Sequence, residues 1–296
     1  MEGAHSQRSF RTRLINVFRS LLKFRAAELF LASLTQGKSR RSLAWKFVPP
    51  EYLYKKSRNH RVIRAKIVFD LDLSNYNEFC LFYGLPEPSL NYLFSFIRPD
   101  FTILDIGANV GFTTLNFAAR CKEGYVYAYE PDSLNFSKLE RNVSLNPFFN
   151  ISMRRKGLGE FAVTPQLMRL NKHHSGMNRI QSEATEGLES EKIEVVRLDD
   201  EVAVMNPNDV DLIKIDVEGY ELDVVRGALE TIRKFKPILF IELIEGNLRQ
   251  YGQSSETLFK LVRGLGYRVF DAKSRKILED GSWDHMETDI LCLPAV

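Results

Sequence analysis

Three cysteines in 296 residues (Cys80, Cys121, Cys292), with no C-x-x-C pair, exclude a disulfide framework and a zinc ribbon, and they suit a reducing compartment. The five histidines include one adjacent pair, His173-His174, but no H-E-x-x-H or comparable ligand spacing, so no metal site is expected, with a divalent ion held by Asp216, Glu242 and a histidine as the alternative. No window of about 18 residues is free of charge, which rules out a membrane-spanning helix. The basic start lacks the clean apolar run and small-residue cleavage site of a secretory signal. Internal repeats and low-complexity segments are absent.

Apolar residues make up 44% of the chain and charged residues 27%, ordinary globular usage for a length that can bury a core without staples. The net charge of +3 hides an asymmetry. Residues 1–60 carry 13 Lys/Arg against Glu2, Glu28 and Glu51, leaving 28 basic and 35 acidic groups in the other 236 residues. A basic leader therefore precedes a mildly acidic body.

Within residues 10–34 the apolar residues Leu14, Phe18, Leu21, Leu22, Leu29, Phe30 and Leu34 recur at helical spacing, interleaved with Arg11, Arg13, Arg19, Lys23 and Arg25. This reads as a basic amphipathic helix, and three roles compete for it. Its apolar stripe packs on the body, as most such stripes do. Or it rests peripherally on anionic lipid. Or it is an acid-poor presequence for mitochondria, the alternative to a cytoplasmic, membrane-associated protein. A nucleic-acid role is the weakest reading, since no reading motif accompanies the basic residues.

The organisation expected is a helical extension over 1–60, a small β lead-in over 61–98 with strand signals at Arg61–Leu73 and Asn77–Tyr83, and a main domain over 99–296. In that domain strands and helices alternate: strand Thr102–Ile106, helix Phe112–Arg120, strand Tyr125–Tyr129, and helix Ser133–Leu145 with Leu134 and Leu139 inward. Strands Ile151–Met153 and Val210–Ile215, helix Tyr220–Phe235, strand Ile238–Glu242 and helix Ser255–Leu265 follow. Tyr267–Asp271 and Asp289–Leu293 then suggest an antiparallel pair at one edge. The pattern predicts an α/β fold with a mainly parallel sheet covered on both faces, and a ligand outside the carboxyl ends of the strands.

Gly107-Ala-Asn-Val-Gly111 follows the first of these strands. A dinucleotide fingerprint wants a glycine where Asn109 stands, so a dehydrogenase is disfavoured and a smaller nucleoside fits better. Asp105 would place a carboxylate near a cation or amine in the crevice. Glu130, 19 residues after Gly111, stands where an acid can take both ribose hydroxyls. A valine at Gly111 is expected to abolish cofactor binding and spare the fold. Asp216 ends a strand in the crevice, either as a base or as a helix N-cap. Glu218 and Glu221 open the next helix, Glu242 ends another strand, and Lys214 must reach an edge or pair with a carboxylate. His173 and His174 stand in a polar loop, where one could close over an acceptor.

Asp105–Gly111, Ala128-Tyr-Glu130-Pro131, Gly157-Leu-Gly159, Leu198-Asp199 and above all the Ile215-Asp-Val-Glu-Gly-x-Glu221 block together resemble the FkbM family of S-adenosylmethionine-dependent methyltransferases over residues 70–295. The resemblance implies a Rossmann-like, seven-stranded class I methyltransferase sheet of order 3-2-1-4-5-7-6, here with a basic N-terminal helical extension. It implies S-adenosylmethionine as cofactor, held by Asp105, Gly107, Asn109, Gly111, Glu130, Pro131 and Gly159. It implies O-methylation of a hydroxyl on a sugar, glycolipid or natural-product-like acceptor, with Asp216, His174 and Glu218 as candidate catalytic residues. A protein or lipid amine as acceptor, or a non-catalytic cofactor-binding protein at a membrane, are the alternatives. Residues 160–197 match the family only as a variable insertion.

Overall fold

A computed structural model describes residues 10–169, 179–181, 190–281, 283 and 286–295, and the chain divides into two compact units, 1–86 and 87–296.

The first unit contains α1 (Phe10–Ser20), α2 (Arg25–Thr35), β1 (Asn59–Arg64), β2 (Ile67–Asp72) and α3 (Tyr76–Phe82). β1 and β2 form an antiparallel hairpin in which Arg64 pairs with Ile67. Its two-residue loop, Ala65 and Lys66, has both φ angles positive, at 47° and 70°, as the twist of a tight hairpin demands. The strand expected over Asn77–Tyr83 is instead helical. The Asn75 side chain accepts from the amides of Asn77 and Glu78, and the turn it starts directs Phe79, Phe82 and Tyr83 inward. Those rings pack on one another and on Trp45, with the Phe79 and Tyr83 centroids 4.8 Å apart. Glu28, with no exposed surface, faces His60 at 2.8 Å and Arg58 at 3.4 Å.

The second unit runs α4 (Pro88–Phe94), β3 (Thr102–Ile106), α5 (Phe112–Ala118), β4 (Tyr125–Tyr129), α6 (Ser133–Ser144) and β5 (Ile151–Arg154). A separate four-stranded sheet follows: β6 (Gly157–Leu158), β7 (Val163–Arg169), β8 (Arg179–Gln181) and β9 (Ser190–Val196), in the order β6-β9-β7-β8. The chain then returns through α7 (Leu198–Met205), β10 (Leu212–Ile215), α8 (Glu221–Arg226), α9 (Leu229–Phe235), β11 (Ile238–Ile244), α10 (Glu245–Leu248), α11 (Ser255–Gly264), β12 (Tyr267–Asp271) and β13 (Glu287–Pro294). The main sheet has the order β5-β4-β3-β10-β11-β13-β12, which is 3-2-1-4-5-7-6 when its strands are counted along the chain. Only β13 runs antiparallel to its neighbours.

Period-two alternation sorts the side chains between the two faces. Leu104, Ile106, Ile213, Ile215, Leu239 and Ile241 pack beneath α7, α8, α9 and α11. Ile103, Val126, Leu212, Phe240 and Leu291 pack beneath α4 and α5. Two details differ from the sequence reading. Leu134 is 61% exposed, while Leu139 one turn later is buried as expected. The single helix expected over Tyr220–Phe235 is two, because the Asp199 carboxylate accepts from the amides of Glu230 and Thr231 and starts α9 afresh.

Candidate functional site

The turn after β3 is held by its own neighbours. The amides of Gly107 and Ala108 both donate to the Tyr129 carbonyl at 3.0 Å. Glu130, 6% exposed, closes the clamp: one carboxylate oxygen accepts from the Asn109 amide at 2.8 Å, the other from the Asp132 amide at 3.0 Å. Asn109 sits at φ 50°, an αL conformation that asparagine tolerates, and its buried Oδ1 has no hydrogen-bond partner. Pro131 is half-buried between Glu130 and Asp132, whose carboxylate caps α6 through the Asn135 amide at 2.6 Å.

The glycines of the turn are explained by packing. A Cβ on Gly107 would lie 1.8 Å from the Asp216 carbonyl oxygen, where the turns after β3 and β10 meet. Gly111 has φ 91°, and a Cβ there would stand 2.7 Å from Leu139. A valine at Gly111 would be strained at that φ even if the Leu139 side chain moved aside, so the substitution does not spare the backbone as the sequence suggested. Gly159, read as flanking an adenine, is buried, and a Cβ would come within 2.9 Å of the Tyr220 ring.

Asp105 does not line the crevice. It has no exposed surface; its Oδ2 accepts from the hydroxyls of Thr113 at 2.7 Å and Thr114 at 2.6 Å. Lys214 stands beside it in register on β10. The Lys214 ammonium, 2% exposed, lies 3.5 Å from Asp105 and 3.3 Å from Asp216 and donates to the Gly107 carbonyl at 2.8 Å. Burial opposes its charge, yet the Asp216 and Asp105 carboxylates outweigh that and hold it above the ordinary lysine range.

Asp216 leaves β10 with its side chain 42% exposed. It is not the cap of the following turn: the amides of Val217 and Gly219 go to Glu221, at 3.2 and 2.9 Å. Glu218 adopts φ 58° and accepts from Asn247 at 3.1 Å, with the Arg179 guanidinium at 3.5 Å. Arg179 also donates to Asn247 and Gln250, both at 2.6 Å. Glu242 faces the same region from β11, paired in register with Asp289 on β13. One oxygen each from Asp216, Glu218 and Glu242 lie within 4.8 Å of one another, so the fold assembles three carboxylates that local spacing did not announce. Such a group could hold a cation or contact an acceptor. His173 and His174 lie outside the described residues.

Burial pushes Glu130, Glu218 and Glu221 up to about 7 and Asp289 up to about 6. Burial, followed by the Asp216 charge, raises Glu242 well above the carboxylate range. A carboxyl whose folded pKa exceeds its unfolded value stabilises the fold below the unfolded pKa and loses that contribution as pH rises through the folded one. The ligand-free protein is therefore expected to unfold at least about 5 °C lower at pH 8 than at pH 5.5. Thermal scans across that range check this, and a midpoint that is flat or rises would contradict the burial of these acids.

The family model for the methyltransferase FkbM domain matches residues 105–269, more than half of the chain. Methyltransferase 1 of Beauveria bassiana is 30% identical over 145 residues, covering 43% of this chain and 58% of that protein. The 2-O-methyltransferase NoeI of Sinorhizobium fredii is 27% identical over 175 residues, covering 51% of this chain and 68% of that protein. The crystal structure of methyltransferase FkbM from Methylobacillus flagellatus KT superposes with a TM-score of 0.42 at 17% identity, over 95% of this chain and 59% of the other.

Proposed function

The chain belongs to the FkbM methyltransferase family, and on that premise we propose that it transfers a methyl group from S-adenosylmethionine to a hydroxyl of a sugar, glycolipid or natural-product-like acceptor. The observation that carries this reading is the pairing of two features at the carboxyl ends of β3, β4, β10 and β11. One is the Glu130-clamped turn with an unsatisfied Asn109 Oδ1; the other is the carboxylate group of Asp216, Glu218 and Glu242. Asn109 and Glu130 offer acceptors to a nucleoside, and Gly107 and Gly111 keep the turn that presents them.

S-adenosylmethionine supplies an electrophilic methyl on a sulfonium. The chain must then hold the acceptor oxygen in line, which is worth roughly 7–11 kcal/mol of barrier. A base that takes up the hydroxyl proton adds about 3–5 kcal/mol. Of the three carboxylates Asp216 is assigned that role by its access: paired with Lys214 at 3.3 Å, its side chain is still 42% exposed, against 19% for Glu218, which is tied to Arg179 and Asn247. The same carboxylates disfavour an amine acceptor, because they would hold it as a non-nucleophilic ammonium. The Sinorhizobium fredii relative, a 2-O-methyltransferase, supports oxygen as well. Tritiated methyl incorporation into glycan, lipid and protein fractions tests the acceptor class, and label confined to protein or amine would sink the hydroxyl reading.

Calorimetry tests the nucleoside site. Glu130→Gln is expected to weaken S-adenosylhomocysteine binding about tenfold, since one amide oxygen cannot serve both backbone donors and a ribose. Removing the ribose hydroxyls from the ligand should cost the native protein about as much and the variant nothing further. Equal losses in both proteins would leave Glu130 as a turn clamp alone. Tighter binding of NAD than of S-adenosylhomocysteine would overturn the family-based reading of the crevice.

A further inference from the structure

The first helix is mounted with its polar side inward. Asn16, 8% exposed, donates to the Tyr52 hydroxyl at 3.0 Å; Arg19 donates to the Lys46 carbonyl at 2.7 Å, and Lys23, just past the helix, to the Leu53 carbonyl at 2.5 Å. The opposite side carries Leu14, Val17, Phe18 and Leu21, one stripe at i, i+3, i+4 and i+7, exposed by 65, 65, 52 and 69%. Phe24 in the α1–α2 junction and Phe30 on α2 are exposed as well, by 52 and 61%. A surface helix ordinarily buries its apolar stripe and shows its polar one. Here the unit commits the polar groups to its own loops, and among the described residues nothing covers the stripe, the mark of a binding surface.

Charge identifies the occupant. Arg25, Lys38, Arg41, Lys46, Lys55 and Lys56 are all exposed in this unit. Among its described residues no acid is: Glu28, Asp70, Asp72 and Glu78 are buried and Glu51 is half-buried. Two copies of so basic a unit would repel each other, whereas anionic headgroups attract the unit as a whole while acyl chains take the leucines and phenylalanines. No described helix is long and apolar enough to cross a membrane, so the stripe would lie in the plane of the interface. We propose that the first unit docks on anionic lipid bilayers through the outer face of α1 and the α1–α2 junction. The proposal stands on the first unit alone and does not depend on the methyl-transfer reading.

The test uses the full chain with vesicles of phosphatidylcholine, with and without phosphatidylserine. Native protein should sediment with the mixed vesicles, far less with phosphatidylcholine alone, and less at high salt. Phe18→Ser/Leu21→Ser should lower the partition coefficient at least about tenfold. Because both side chains already face solvent, its unfolding midpoint should match that of the native chain, which separates lost docking from lost fold. Three results would overturn the proposal: no sedimentation with phosphatidylserine vesicles, unchanged partition of the variant, or equal binding to neutral vesicles. Ultracentrifugation showing a dimer that the same variant dissociates, without vesicle binding, would reassign the face to a second copy of the chain.

Discussion

Lys214→Met is expected to lower the midpoint of thermal unfolding by roughly 10 °C. The ammonium is buried between two acids, 3.5 Å from Asp105 and 3.3 Å from Asp216, and it holds the Gly107 carbonyl. Taking one partner from a buried pair leaves an uncompensated charge, a loss of about 3–5 kcal/mol. In a domain of this size each kcal/mol moves the midpoint by about 2–4 °C. Methionine fills the stem volume, so the loss would be electrostatic and polar and not a cavity effect. A second change sharpens the claim. Asp105→Asn in the Lys214→Met background should recover part of the loss, because an amide oxygen can still accept from Thr113 and Thr114 without leaving a charge behind. Scanning calorimetry on the two single variants and the double checks this, and additive losses would show that the two side chains act independently.

That pair also shows what the sequence displays and what it hides. Asp105 and Lys214 are the lone charges within two otherwise uncharged strands, and two opposite charges so placed are a usable signal for a pair across neighbouring strands. Read singly, Asp105 looked like a crevice acid, because a strand-end position does not say which face its side chain takes. Alternation of strands and helices made the parallel sheet and its antiparallel edge pair legible, whereas the strand order came only from the family resemblance carried by the block from Ile215 to Glu221. The reason for the glycines was not legible. Gly107 answers to the Asp216 carbonyl, a contact made by a residue distant along the chain, and Gly111 to the positive φ of its own turn. Arg179 and Asn247, which restrain Glu218, carry no motif, and Arg179 lies in the insertion whose sheet the sequence did not announce. The leader was a matter of direction. Helical periodicity is the same whichever side faces inward, and only the bonds of Asn16, Arg19 and Lys23 show that the apolar side faces out.

Asp216→Asn is expected to slow methyl transfer by about 10²-fold or more while leaving S-adenosylhomocysteine affinity nearly unchanged. Asparagine keeps the shape, and Lys214 retains Asp105 and the Gly107 carbonyl, so the unfolding midpoint should move little. The rate loss would then report a missing proton acceptor. Glu218→Gln supplies the contrast. Glu218 is pushed up to about 7 by burial and then by the Asp216 charge, which suits a base at neutral pH, but it is held by Arg179 and Asn247. With Asp216 as the base, Glu218→Gln should act mainly on KM for the acceptor. With Glu218 as the base, kcat would rise with pH through about 7 in the native enzyme. Glu218→Gln would then abolish that limb, and Asp216→Asn would keep most of the rate. The two pH profiles therefore assign the proton to one carboxylate or the other, because only one of the pair can lose its rate while retaining its ligand.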